Sequence, residues 1–263
     1  QPYDVDEFNF RLSIQKDFKM NQQEGVVKGL LSNWESSKKV FRYMKRTTFR
    51  HTSYPFSIDV SIVKMSNKNS KYFMIPTYTL LESNVLNNPN TYELEIECDR
   101  VDHGRSKLYQ VIKYVLSGIQ NSNFPIKQSD QQRVQKAYYK LIYDDELSKR
   151  LVPKNFVGPS SISLELHHLQ KDSNVNILNN YCVTDKADGV RKLLYIHPDK
   201  KIYLIDMNMN IEFTGLMSKS GDFGNTIIDG EHIIHDKKKT YYNKYAAFDI
   251  YFINNTDVRD QPF

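Results

Sequence analysis

The chain contains 263 residues, a length that suits two domains better than one. Its composition, 40% hydrophobic and 25% charged, is typical of a globular protein, and no run approaches the roughly 18 apolar residues of a membrane span. The net charge of +5 is mild, and the two cysteines, Cys98 and Cys182, lie in unrelated contexts, which argues against a disulfide framework or a zinc site and favours a reducing compartment.

The first third of the chain is predicted to be β-structure. Strands are expected at residues 8–15, 40–49, 57–64 and 92–98. Arg42 and Arg46 share a face of the second strand, and Asp59 lies on the polar side of the third. Because these polar faces carry charge, the pattern favours an antiparallel barrel with a polar interior. The segment from Lys38 to Arg50 has six basic residues and no acidic one, which suits a polyanion or, equally, a solvated basic surface.

Three carboxylates, Glu93, Glu95 and Glu97, lie on one face of the last of these strands. Like charges so close together repel one another, so they need a cation or facing basic residues. The pattern is therefore explained either by a metal-binding strand or by an exposed acidic strand that pairs with lysine or arginine.

The hydrophobic period then changes to that of helices. Apolar residues recur at helical spacing from Leu108 to Ile119, and a capping box at Ser129 predicts the start of a second helix. Residues 143–163 contain prolines and a glycine and are predicted to be a linker. Further strands are expected around residues 181–184, 192–196, 202–206, 226–234 and 245–253. We therefore predict one domain over residues 1–125, a helix and linker over 126–153, and a second domain over 154–263.

The segment Thr184–Arg191 carries the clearest chemical signal, Lys-Ala-Asp-Gly at its centre. A lysine nucleophile needs a lowered pKa, an electrophile held in line, and cations that neutralise phosphate. Gly189 would let the backbone approach a nucleotide, and Arg191 would reach a phosphate or ribose and help to lower the pKa of Lys186. Taken alone, however, Lys-x-Asp-Gly is more simply a β-turn with a solvated lysine.

Four segments in order resemble motifs of the capping-enzyme guanylyltransferases, whose superfamily also holds the DNA and RNA ligases. They are Tyr181–Arg191 (motif I), Ile202–Asp206 (motif III), Ile228–His232 (motif IV) and Tyr245–Ile250 (motif IIIa), with further likeness at Val157–Leu164. Met207 stands where the family often has arginine, so Asp206 is given no catalytic role. The resemblance implies that Lys186 attacks the α-phosphate of GTP, expels pyrophosphate and forms a lysyl-N-GMP intermediate.

The same resemblance implies roles for other positions of these motifs. The nucleotide-binding residues would be Asp188, Gly189, Arg191, Glu231 and Asp249. The last two would lie near the ribose and a divalent metal, for which Mg²⁺ or Mn²⁺ is expected because both prefer oxygen ligands. Locally, Asp229-Gly230 has the alternative explanation of a hairpin turn.

The first half of the chain resembles the triphosphate tunnel metalloenzymes, specifically the RNA triphosphatase domain of capping enzymes from large DNA viruses (poxvirus, asfarvirus and giant-virus type). Thr91–Glu97, Phe41–Phe49 and Ile58–Lys64 carry this likeness. It implies that Glu95 and Glu97 bind metal. The positions implied for the phosphates are Arg42, Arg46, Lys64, Arg11 and, lining the tunnel, Asp59. The family has a second Glu-x-Glu strand that is not found before Glu93, so we expect a fragment or a degenerate triphosphatase.

Together these resemblances predict an α+β protein in which an antiparallel β-barrel of the triphosphate tunnel type precedes a partial covalent-nucleotidyltransferase (ATP-grasp-like) domain. The expected function is mRNA 5′ capping, by hydrolysis of the RNA γ-phosphate and GMP transfer from GTP to the diphosphate end. The alternatives are an ATP-dependent RNA or DNA ligase and a non-catalytic RNA-binding scaffold.

The expected partners are the RNA 5′ end and GTP, with no membrane. Motif V and the OB-fold that follows it in the superfamily are not found, so we expect the chain to be the middle of a larger polypeptide and poorly active alone. An OB-fold, a methyltransferase domain or a stimulatory subunit would complete it. The expected location is cytoplasmic, in a viral factory, or in the virion.

Overall fold

The computed structural model describes residues 2–15, 18, 20, 21, 23–98, 105–219 and 223–262. Its helices are α1 (Gly25–Ser32), α2 (Arg105–Gln120) and α3 (Gln128–Tyr143), with short 3₁₀ turns at Asp6–Phe8, Pro153–Asn155 and Leu166–Leu169. Its strands are β1 (Tyr3–Val5), β2 (Phe10–Leu12), β3 (Arg42–His51), β4 (Tyr54–Met65), β5 (Thr91–Glu97), β6 (Val190–Ile196), β7 (Lys201–Asp206), β8 (Ile211–Met217), β9 (Thr226–His235), β10 (Tyr241–Ile253) and β11 (Thr256–Asp257). None of the helices in these ranges combines the length and the apolar character needed to cross a membrane.

The chain divides into two compact units. Unit 1 comprises Gln1–Tyr3 and Leu12–Tyr114, and unit 2 comprises Asp4–Arg11 and Val115–Phe263. The division falls within α2. The predicted functional domain limits at residues 125 and 153 stay predictions.

Unit 1 contains a three-stranded antiparallel sheet in the order β3-β4-β5. Strict alternation along β4 buries Asp59, Ser61 and Val63 and leaves Val60 and Ile62 on the more exposed face. The described residues therefore do not form the closed barrel that the sequence predicts, since a closed barrel with a side-chain-filled interior needs about eight strands. The charged face that the alternation predicts is nevertheless the buried one.

Unit 2 contains a six-stranded antiparallel sheet in the order β11-β10-β9-β6-β7-β8. Its core is lined by side chains from the central strands, among them Leu193, Tyr203 and Ile227, which are fully buried. Helix α3 packs on this face, where the rings of Tyr138 and Tyr195 meet edge to face with centroids 6.3 Å apart. The chain is thus a mixture of helices and antiparallel sheets, which confirms the predicted α+β class at that level.

Two local predictions are wrong, and one alternative is excluded. Residues 181–184 form no strand, and Val183 is fully exposed, because no neighbouring strand pairs with this segment. Asp229-Gly230 lies inside β9 and is not a hairpin turn. Helix α3 has no capping box at Ser129; instead, the carboxylate of Glu7 accepts the backbone N–H of Ser129 at 3.0 Å, a hydrogen bond that lowers the pKa of Glu7.

The hydroxyl of Tyr138 links α3 to the segment that follows it. It donates to the carbonyl oxygen of Asn155 at 2.9 Å and accepts the N–H of Val157 at 3.1 Å. Tyr138→Phe would leave both partly buried backbone groups without this partner, so we expect a loss of about 1–3 kcal/mol in the free energy of unfolding, measured by urea denaturation. Tyr143→Phe, at the exposed end of the same helix, is the matched control and should change it by less than about 0.5 kcal/mol.

Candidate active site

Lys186 lies in the loop that leads into β6. Its side chain is 85% exposed, and Nζ donates to Oδ1 of Asp188 at 3.0 Å. This hydrogen bond raises the pKa of Lys186 and lowers the pKa of Asp188, and the negative charge of Glu231 adds to the effect on the lysine. The raised pKa is the opposite of the lowered pKa expected from the sequence. In this state the amine is held protonated by its own motif.

Arg191, at the start of β6, is occupied by a buried partner. Its Nη2 donates to Oδ2 of Asp229 at 2.5 Å, and its Nε lies 3.1 Å from Oδ1 of the same carboxylate. Asp229 is fully buried and also accepts the hydroxyl of Tyr251. On its other side, the guanidinium donates to the carbonyl oxygen of Pro159 and lies 5.4 Å from the ring centroid of Phe156. Arg191 therefore joins three segments of unit 2 and does not act on Lys186 as the sequence suggests.

The ion pair also explains two pKa shifts. The hydrogen bond to Asp229 raises the pKa of Arg191, which keeps the guanidinium charged. Burial raises the pKa of the Tyr251 hydroxyl, and donation to Asp229 raises it further. Tyr251 is consequently a neutral donor at every physiological pH.

Two glycines of the motifs permit close approach between strands. A Cβ on Gly189 would lie 2.6 Å from the carbonyl oxygen of His232, and a Cβ on Gly230 would lie 2.6 Å from the carbonyl oxygen of Ala246. Such distances exclude any side chain without movement of the backbone. From the sequence, a glycine at position 189 is explained by the close approach of a nucleotide. The structure adds a second reason, because the loop that carries Lys186 and leads into β6, here named the lysine loop, packs on β9 at this residue.

The remaining motif residues lie on the paired strands β9 and β10, next to β6. Glu231 on β9 stands opposite Arg191 on β6, and Asp249 on β10 stands opposite Asp229 across a β-bulge. Glu231 and Asp249 are both partly buried, and Oδ1 of Asp249 accepts the N–H of the next residue at 2.8 Å. The structure thus brings the predicted nucleotide-binding carboxylates and Arg191 onto adjacent strands, with Lys186 in electrostatic reach of Glu231.

Asp206, in motif III, shapes a turn. Its carboxylate accepts the backbone N–H groups of Asn208 and Asn210 and the side-chain amide of Asn210, at 2.8–2.9 Å. These bonds close the β7–β8 connection. This structural role agrees with the absence of a catalytic assignment for Asp206.

In unit 1, Arg46 lies among three carboxylates on the charged face of the sheet. It donates to Asp59 at 2.8 Å and to Glu95, and it lies 4.0 Å from Glu97. One oxygen atom from each of the three carboxylates lies within 4.8 Å of the others. Asp59 is only 4% exposed, and its Oδ1 has no hydrogen-bond partner. A group of oxygen donors at this spacing fits a hard divalent cation.

The other residues predicted for phosphates are not all brought to this face. Arg42 is, and it hydrogen-bonds Glu93. Lys64 points to the opposite face of β4, because it is an odd number of residues from Asp59 along the strand, and Nζ donates to the carbonyl oxygen of Leu86 at 2.6 Å. Arg11 lies in unit 2 and forms a two-pronged ion pair with Asp4.

Sequence reasoning missed the importance of Asp229 and Tyr251. A signal existed for Asp229, since it directly follows Ile227 and Ile228 in a predicted strand, where a carboxylate is unusual if the strand is buried. No comparable signal existed for Tyr251, because tyrosine is ordinary in an amphipathic strand. Its partner becomes visible only when β9 and β10 are placed side by side.

The residues of unit 2 match a known protein family. The sequence model of the family described as "mRNA capping enzyme, catalytic domain" matches residues 118–263. The chain is also 27% identical over 225 residues to a probable mRNA-capping enzyme of Acanthamoeba polyphaga mimivirus. The match covers 85% of this chain and 17% of that protein, so the chain spans about a sixth of the length of this curated relative.

The buried ion pair leads to a prediction about stability. Asp229→Asn removes the negative charge but keeps the shape, and it leaves the guanidinium of Arg191 without its counter-ion. We expect the free energy of unfolding to fall by on the order of 3 kcal/mol, measured by urea denaturation.

The control for this prediction is Asp257→Asn, which removes one partner of the exposed Asp257–Arg259 pair. Exposed ion pairs contribute little, so the expected loss is below about 1 kcal/mol. Equal losses in the two variants would show that the buried ion pair of Asp229 contributes no more to the free energy of unfolding than an exposed ion pair does.

Proposed function

Because the chain belongs to the family of mRNA capping enzyme catalytic domains, we propose that unit 2 forms the lysyl-GMP intermediate of guanylyl transfer at Lys186. The resemblance to capping enzymes of large DNA viruses, predicted from the sequence, is confirmed by the family match and the mimivirus relative. The observation that carries the proposal is an exposed amine in a loop packed on β9, within electrostatic reach of Glu231 and next to the Arg191 anchor.

The proposed chemistry has two steps. In the first, neutral Nζ of Lys186 attacks the α-phosphorus of GTP; a P–N bond forms, and the bond to the bridging oxygen of pyrophosphate breaks. In the second, a β-phosphate oxygen of RNA with a 5′-diphosphate end attacks the same phosphorus, and the P–N bond breaks to return the amine. Lys186 must lose a proton before the first step, and Asp188 opposes that loss in the resting state.

A divalent cation is proposed for this site. Mg²⁺ or Mn²⁺ supplies neutralising charge to the triphosphate when bound. Glu231 and Asp249 are the residues that would hold it, because they are partly buried carboxylates on neighbouring strands and hard cations prefer such oxygen donors. The further capping-enzyme domains, a stimulatory subunit, and a location in the viral factory or virion stay predictions.

The nucleophile is tested by incubating the chain with GTP labelled at the α-phosphate and Mn²⁺. We expect an acid-labile protein adduct that Lys186→Ala abolishes, because no other amine of the chain is placed in this motif. Lys192→Ala is unsuitable as a control, since Lys192 is buried in an ion pair with Glu212, so the exposed Lys200→Ala is used and should retain the adduct. Label that persists in Lys186→Ala would overturn the assignment. Labelling by ATP in place of GTP would favour a ligase, and salt-dependent RNA binding with no adduct from either nucleotide would favour a scaffold.

The same assay gives a pH dependence with a defined sign. The hydrogen bond that Lys186 donates to Asp188 raises the pKa of Lys186, so the neutral fraction of the amine is small near neutrality and grows with pH. The rate of adduct formation should therefore rise with pH up to the pKa of the lysine. Asp188→Asn removes the carboxylate that raises this pKa, so the rising limb of its profile should lie at lower pH than that of the unchanged chain.

Unit 1 supports a second proposed activity, the metal-dependent removal of the RNA 5′ γ-phosphate. The specific observation is the group of Asp59, Glu95 and Glu97, in which a buried carboxylate oxygen lacks a hydrogen-bond partner. Arg46, among these carboxylates, supplies positive charge for a phosphate.

Cation binding by unit 1 can be measured without any nucleotide. Titration of the chain with Mn²⁺, followed by electron paramagnetic resonance of the free ion, should show a site that Glu95→Gln with Glu97→Gln weakens at least about tenfold. The matched control is Glu93→Gln on the same face, which pairs with Arg42 and lies outside the group. If Glu93→Gln weakens Mn²⁺ binding as much as the double variant does, the three-carboxylate assignment is wrong.

A further inference from the structure

The β9–β10 hairpin ends in a turn that contains three consecutive lysines, Lys237, Lys238 and Lys239. The turn is closed by other groups: Oδ1 of Asp236 accepts the backbone N–H groups of Lys238 and Thr240, each at 2.8 Å, and the backbone N–H of Asp236 donates to the carbonyl oxygen of Thr240 at 2.9 Å. The lysine side chains therefore are not what gives the turn its shape.

The stability of the fold does not account for the composition of this turn, because these residues are unfavourable there. Lys239 has a left-handed backbone with φ of 62°, a conformation that glycine or asparagine adopts at lower cost. Three adjacent ammonium groups on an exposed turn repel one another, and Asp236 is the one carboxylate within the turn. Such a concentration of positive charge is suited to an external polyanion.

Aromatic side chains continue this surface along β10. Tyr241 and Tyr242 are 61% and 52% exposed, and Nζ of Lys244 lies 5.5 Å from the ring centroid of Tyr242. The ring of Tyr241 is supported by His235, with centroids 6.0 Å apart. Lysines next to exposed rings suit single-stranded nucleic acid, whose phosphates bind cations and whose unpaired bases stack on aromatic faces.

The turn also lies beside the lysine loop. Val190, directly after that loop, stands opposite His232 on β9, and Gly189 packs on the carbonyl oxygen of His232, four residues before Asp236 of the turn. The pKa of Asp188 is lowered mainly by its hydrogen bond with Lys186, and the positive charge of Lys237 contributes to the same shift. A polyanion on the turn would therefore lie next to the nucleophile. GTP is a less suitable occupant of the whole surface, because a single base cannot use both exposed tyrosines.

We propose that Lys237–Lys244, here named the hairpin surface, binds the first nucleotides of the acceptor RNA as a single strand. Lys237, Lys238 and Lys239 contact its phosphates, and Tyr241 and Tyr242 stack on its bases. The proposal rests on the guanylyltransferase function proposed above, since it gives that reaction its acceptor. It leaves the site of GTP outside the hairpin surface.

The test uses the 263-residue chain and a fluorescent single-stranded RNA with a 5′-diphosphate end, with binding followed by anisotropy. The variant carries Lys237→Gln, Lys238→Gln and Lys239→Gln together. We expect its RNA affinity to be about tenfold lower at low salt, and the slope of log affinity against log salt to become shallower by about 2, because three phosphate contacts are lost. Tyr241→Ala with Tyr242→Ala should lower affinity about fivefold or more without changing the slope.

The matched control removes the same charge elsewhere in unit 2, by Lys149→Gln, Arg150→Gln and Lys154→Gln, all at exposed positions. Its RNA affinity should stay within about twofold of the unchanged chain. An equal loss in the control and the hairpin variant would mean that only net charge matters and would overturn the proposal.

Formation of the GMP adduct is measured in the same variants to separate the two proposals. The hairpin variant should form the adduct at an unchanged level while RNA binding falls. Loss of the adduct with unchanged RNA binding would assign the hairpin to GTP and overturn the docking proposal. If no variant forms an adduct but RNA binding still depends on the hairpin lysines, the guanylyltransferase proposal fails and the RNA surface stands.

Discussion

A negative charge buried within a β-sheet constrains much of unit 2. Asp229 has no exposed surface, so its carboxylate must be compensated inside the fold, and Arg191 and Tyr251 do so from the strands on either side of β9. Removing a buried charge from water is costly, and the cost is offset only when every partner is in place. Any change that separates β9 from β6 or from β10 therefore exposes an uncompensated charge. The lysine loop leads into β6 at Gly189, so its position depends on the ion pair that holds β6 against β9.

The same constraint changes the meaning of the lysine motif. Arg191 is a structural anchor in this state, so it does not lower the pKa of Lys186, and Asp188 raises that pKa instead. The amine of Lys186 is consequently protonated in this state. Loss of the proton requires that the Lys186–Asp188 hydrogen bond weaken.

Sequence patterns predicted the parts of this protein that depend on local order. The motif order along residues 181–250 identified the family. Strict alternation along β5 predicted the shared face of Glu95 and Glu97, and the family resemblance added Asp59, which the structure places opposite Glu95. Patterns failed where a partner is distant in sequence. The Arg191–Asp229 contact joins residues on different strands, α3 is capped by Glu7 from far upstream, and residues 181–184 have strand composition without a strand to pair with. Amino-acid composition gives the propensity of a segment for strand formation, whereas pairing with a neighbouring strand decides whether the strand forms.

Both candidate sites hold their charges in internal ion pairs. In unit 2 the amine of Lys186 is bound to Asp188, and in unit 1 the guanidinium of Arg46 is bound to Asp59 and Glu95. A phosphate must compete with those carboxylates for the cation, and a divalent metal must compete with the arginine for the carboxylates. Metal and phosphate together would remove this conflict, because the metal would bind the carboxylates while the released guanidinium would bind the phosphate. Unit 1 should therefore bind a metal-phosphate complex more tightly than either component alone.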